Sequence, residues 1–157
     1  MRNKFLSVLF IAVLGWMMIS STTSSGGKSG KTGAPGENDC TQCHSGSAVN
    51  SGVGAVSLNT GITAGYDLSA TYNMNVAVSQ VGISLFGFSI VALDANGASV
   101  GTFVAGTDSH EEFFTVSGNS RQYLTHNTNG GASSGSHTFN FSWTAPSSDV
   151  GAVTFYV

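Results

Sequence analysis

The chain has 157 residues, of which 8% are charged, with a net charge of −3 and 21 glycines. A charge this weak and slightly acidic argues against a nucleic-acid binder, which needs a basic face towards phosphate. Abundant Gly, with Ser, Thr and Asn, is the composition of a turn-rich exported β-protein rather than of a helical cytosolic enzyme.

Residues 1–25 have the layout of a secretory signal peptide. Arg2 and Lys4 give the positive end, Phe5 to Ile19 the apolar run, and Ser20 to Ser25 the small polar exit where cleavage is expected. The run is shorter than the roughly 20 residues a membrane span takes. An uncleaved anchor is the alternative, and no stable span is expected after cleavage. No cysteine follows the run, so lipidation there is not indicated. The protein is therefore expected in the periplasm, at the cell surface or outside the cell, where disulfides also form. The remainder has single-domain length.

Residues 26–52 form the next unit, expected as a flexible, loop-like arm. Gly26, Gly27, Gly30, Gly33 and Gly36 interrupt it, Lys28 and Lys31 solvate it, and Pro35-Gly36 marks a turn. The arm leads into Cys40-Thr41-Gln42-Cys43-His44. This C-x-x-C-H pattern is that of a c-type haem attachment site. Two thiols at this spacing can each add to one vinyl group of a single porphyrin, and the next histidine can then serve as the proximal iron ligand. The chemistry needs a tight, roughly helical turn. Asn38 or Asp39 can cap its start and Gly46 can end it. Three rival readings exist, the first a structural disulfide, which at this spacing is strained and uncommon. A redox dithiol of thioredoxin type would follow a strand and open a long helix, a context this arm lacks. A thiolate-rich zinc site would need a second cysteine pair, and the chain has two cysteines in all.

Residues 53–157 carry a β pattern. Tyr66 to Val78 alternates apolar and polar residues with period two. Leu85 to Leu93 is apolar on both faces, as in a central strand. Asp94-Ala95-Asn96-Gly97 predicts a turn, and Ser99 to Val104 a strand returning as its hairpin partner. Shorter strands are expected at Phe113 to Val116, Gln122 to Thr125, His137 to Trp143 and Ala152 to Val157. About seven strands divided by turns predict an all-β, immunoglobulin-like β-sandwich. The last strand is expected at a sheet edge, unless the chain is a fragment.

Several segments taken together resemble the choice-of-anchor V family. They are Thr32 to Glu37 leading into Cys40 to Gly46, Phe86-Gly87-Phe88, Gly101-Thr102-Phe103, Arg121-Gln122-Tyr123-Leu124-Thr125-His126 and Phe141 to Pro146. The resemblance covers about residues 32–157. It implies a secreted bacterial protein with a Reelin-like β-sandwich behind a C-x-x-C-H segment. Members usually continue past the Val153 to Val157 strand, many into a C-terminal sorting or anchoring segment; this sequence departs from them there, which weakens the implication of cell-surface attachment.

Other chemistry is sparse. His110 beside Glu111 and Glu112 suits a solvated loop better than a metal. Asp94 to Gly97 begins like a calcium loop but lacks its later carboxylate. Asn140-Phe141-Ser142 matches a glycosylation sequon but falls mid-strand. The haem motif thus carries the functional expectation: a monohaem c-type cytochrome domain with one covalent haem per chain. Its role would be electron transfer or redox work outside the cell, with a redox partner of unstated identity. The alternative is an adhesion or structural module in which haem is structural or absent. A peroxidase using Arg121 and His126 is a weaker third option, since no catalytic constellation stands out. His44 is the expected proximal ligand and His126 the expected sixth ligand, ahead of His110, His137 and Met74. Arg121 and Tyr123 are expected near the haem propionates.

Overall fold

The computed structural model describes residues 26–44, 46, 48–128 and 130–157; the signal-like residues 1–25 lie outside that description. Alternation of apolar and polar residues produces ten strand segments among the described residues, where about seven were expected. They are β1 (Ala55–Asn59), β2 (Thr71–Ser79), β3 (Leu85–Phe86), β4 (Ser89–Leu93), β5 (Thr102–Val104), β6 (Ser109–Val116), β7 (Asn119–His126), β8 (Gly131–Ala132), β9 (Ser136–Thr144) and β10 (Thr154–Tyr156). One antiparallel sheet has the order β1-β2-β9-β5 and a second β10-β4-β7-β6, while β3 and β8 form a short pair. The last strand does lie at an edge.

The longest pairing joins β2 to β9, from Thr71↔Thr144 to Ser79↔Ser136. Its period-two pattern places Met74 and Val76 on the same buried face as Phe139, Phe141 and Trp143. Ile90 and Ala92 of β4, Leu124 of β7 and Phe103 of β5 join them, so one core draws on both four-stranded sheets. Aromatic pairs fill it: Phe88 lies 4.5 Å from Phe139, and Trp143 meets Phe155 edge-on at 5.1 Å. Gln122 links the sheets with its side chain. It accepts from Phe103 N–H at 2.8 Å and donates to Phe103 C=O at 3.1 Å, standing in for a strand partner.

Three strand expectations need correction. The Tyr66 to Val78 pattern becomes a strand only from Thr71, because Ser69 adopts φ 61° and Ala70 N–H closes a turn onto Asp67 C=O. Leu85 to Leu93 is not one strand: Gly87-Phe88 divides it, with β3 pairing to β8 and β4 to β7. The expected hairpin between β4 and β5 stops after one bridge, Leu93↔Ser99. The Asp94–Gly97 turn does form, and Asp94 Oδ1 accepts from Asn96 and Ala98 N–H at 2.9 Å each. Beyond it Gly101, at φ 68°, redirects the chain, and β5 pairs with β9 in the other sheet. Its close approach to Trp143 leaves no room for a side chain there: a Cβ would lie 2.4 Å from the indole.

The arm also departs from its expectation as a solvated segment. Gly26, Gly27, Gly30 and Ala34 are buried against the outer face of the β10-β4-β7-β6 sheet. That face is not polar. Val91 and Leu93 of β4 and Tyr123 of β7 form a second cluster there with Ala34, and Tyr156 packs on it. Covering this cluster removes apolar surface from water, at about 25 cal/mol per Å². The glycines serve close approach: a Cβ on Gly30 would sit 2.8 Å from the Phe114 ring, and one on Gly27 2.8 Å from Thr125 Cβ.

Candidate functional site

The C-x-x-C-H segment folds as a 3-10 turn over Cys40–Gln42. Asp39 caps it: its carboxylate accepts from Thr41 N–H at 2.8 Å and from the Thr41 hydroxyl. These bonds, the hydroxyl first, hold the Asp39 carboxyl below its ordinary range. Cys43 and His44 N–H both reach Cys40 C=O, at 3.2 and 2.9 Å, which closes the turn. Gly46 follows at φ 113°, a conformation suited to glycine. Cys40 and Cys43 are free thiols, and both are exposed along with His44.

Although the residue is exposed, partial desolvation of its sulfur, followed by the adjacent Asp39 charge, raises the Cys40 pKa above its ordinary 9.0. A redox dithiol needs the opposite shift, because the thiolate is its nucleophile. The turn is also too short to supply the field of a helix N-terminus.

The arm ahead of this turn carries a buried cluster that the sequence did not single out. Glu37, three positions before Cys40, inserts its carboxylate between Arg121 and Tyr123 of β7. Oε1 accepts from Arg121 Nη1 at 2.6 Å and from the Tyr123 hydroxyl at 2.5 Å. Oε2 accepts from Thr32 N–H at 3.2 Å and the Thr32 hydroxyl at 2.8 Å. The Glu37 side chain has no exposed surface and that of Arg121 only 4%. Burial alone would raise the Glu37 pKa, but the bonds from Tyr123, Thr32 and Arg121 outweigh it and hold the carboxyl below 4.5. Tyr123 shifts upwards, through burial first and then its bond to the Glu37 carboxylate. Arg121 also donates to Gly97 C=O at 3.2 Å through Nε and to Pro35 C=O at 3.1 Å.

Arg121 and Tyr123, expected near haem propionates, have their polar ends buried and bonded to Glu37 in this structure. The signal that could have exposed the cluster was there: one glutamate in a nearly acid-free arm, and an Arg-x-Tyr pair whose alternate positions share one face of a strand.

His126 lies at the end of β7, where Gly27 N–H donates to its carbonyl at 2.8 Å. Its Nδ1 faces the Phe88 backbone, 3.1 Å from the nitrogen and 3.0 Å from the oxygen. Gly87 makes room for the ring, since a Cβ there would fall 2.5 Å from Cε1. The other candidates are engaged elsewhere. His110 pairs with Asn127 at 3.0 Å and with Glu112 at 3.2 Å, and that carboxylate also accepts from Ser29 N–H at 3.1 Å. His137 bonds Asp108 at 3.1 Å and packs edge-on against Phe139. Met74 is sealed in the core. The structure does not bring Arg121 and His126 together as a catalytic pair: the guanidinium points to Glu37 and the imidazole to Phe88. Among the described residues, no group of three or more His, Cys, Asp or Glu side chains forms a metal-ligand set, and no helix is long and apolar enough to cross a membrane.

No family model matches the chain, and no curated protein matches it.

Proposed function

We propose that the chain is an exported monohaem c-type carrier, with haem bound covalently to Cys40 and Cys43 and ligated by His44. The observation that carries this reading is the exposed, capped Cys40–Gln42 turn, with two free thiols and a histidine, anchored beside a folded sheet. The residues present fit the group. Cys40 and Cys43 would hold the porphyrin as thioethers and His44 would hold its iron. Bound haem would supply one-electron chemistry at its iron. On the same reading, His126 would be the second histidine to hold the iron. His110 and His137 hold carboxylates, Met74 is in the core, and His126 holds only backbone through Nδ1. A proton on Nδ1 turned to Phe88 C=O would leave Nε2 with its lone pair free for iron.

The scaffold in this proposal is an immunoglobulin-like sandwich of Reelin-like kind, supported by one core shared between two four-stranded sheets. A cell-surface module is the second reading. It would rest on the β-sandwich alone, with haem structural or absent.

The deciding experiment is production in cells with a c-type maturation system, followed by haem staining on a denaturing gel. The expected result is a stained band at the mass of the chain. An unstained band from cells that mature a control cytochrome overturns the haem reading and leaves the surface module.

A further inference from the structure

We propose that Glu37 is the positioning residue of the C-x-x-C-H turn, joining the arm to Arg121 and Tyr123 so that the haem-bearing segment becomes a fixed layer on the sheet. The proposal rests on the reading of Cys40, Cys43 and His44 as a haem site.

The two oxygens of Glu37 have separate tasks. Oε2 closes a loop within the arm through Thr32, which Gly33 N–H to Asn38 C=O (3.1 Å) and Glu37 N–H to Ala34 C=O (2.9 Å) tighten. Oε1 ties that loop to β7. The turn leans on the same loop: Cys40 Sγ lies 3.7 Å from Lys31 C=O, and the Lys31 ammonium donates to the Gln42 side chain. Glu37 is thus the point where the arm's own geometry and its attachment to the sheet meet. A buried ion pair stabilises little compared with an apolar replacement of the same shape, because both charges lose water. Its value here is directional. Four donors converging on one carboxylate admit one placement of the arm, whereas apolar contact through Ala34 would let it slide.

Native-state hydrogen exchange on the apoprotein tests this. In Glu37→Gln, the amides of Thr32 and Gly33 are expected to exchange about tenfold faster or more, the effect of losing a charge-assisted bond. The β9 amides should keep their wild-type rates. Tyr123→Phe removes one donor and leaves the ion pair. It should accelerate the same amides by less, and it decides the matter if Glu37→Gln does not fold. Arm amides that stay at wild-type rates, or that change only in step with β9, overturn the proposal. The haem-loaded protein gives a second readout. Glu37→Gln should still stain for haem but bind added imidazole at the iron faster than wild type; an unchanged rate overturns the positioning role. Exchange on the apoprotein reads the anchor whether or not haem attaches, while an unstained wild-type band tells against the haem reading alone.

Discussion

Glu37 Oε1 and Arg121 Nη1 lie 2.6 Å apart although 84 positions separate them in the chain. The contact converts a glycine-rich arm into part of the fold. It also sets the Thr32–Glu37 loop, which leads into the C-x-x-C-H turn, against Arg121 and Tyr123 of β7.

Stability should therefore fall at both ends of the pH scale. Glu37 and Glu112 titrate below their ordinary 4.5 when folded; in each, burial pushes up but hydrogen bonds prevail. The folded carboxylates bind protons less readily than the unfolded chain. Their contribution is complete above 4.5 and is lost as pH falls through the folded values. Tyr123 has the opposite sign: its pKa rises above 10.0, so its contribution is complete below 10.0 and is lost as pH climbs towards the folded value. Urea midpoints across pH should show a plateau between these limits, and Glu37→Gln should flatten the acid side. A wild-type midpoint unchanged on acidification from neutral to about pH 3 would contradict the linkage.

Replacing Cys40 and Cys43 together with Ala should remove covalent haem and leave the β-fold intact. Both side chains are exposed, and neither belongs to a core cluster. The expected stability change is within about 0.5 kcal/mol for the apoprotein, as for other surface substitutions. Far-ultraviolet circular dichroism and a urea titration measure it. Loss of the β signal would mean that the turn is built into the core.

His126→Ala has two readouts. The side-chain bond between Nδ1 and the Phe88 C=O is lost, which costs about 0.5–1.5 kcal/mol. In the haem-loaded protein, the iron should pass from low to high spin, or gain affinity for added imidazole. An unchanged low-spin spectrum would remove His126 from the axial position.

Much of this was legible from residue patterns. The Ser136–Thr144 strand announced itself because Phe139, Phe141 and Trp143 alternate with polar residues, and local alternation is what a half-buried strand requires. The capped turn at Asp39 was legible for the same local reason. Strand β8 was not: Gly131-Ala132 lies in a Gly/Ser-rich stretch and exists only because Leu85-Phe86 pairs with it. The parting of β4 and β5 was equally hidden, since a turn signal fixes the reversal of the chain but not which sheet receives the next strand.

The sequence by itself determined the β class, the position of most strands and the capped turn after Asp39, because each depends on neighbours within a few residues. The tertiary structure decided where the arm lies and what Arg121, Tyr123 and His126 touch. A carboxylate such as Glu37 loses too much hydration to enter an apolar layer unless donors from distant strands meet it there, and that meeting depends on the folded arrangement of the whole chain.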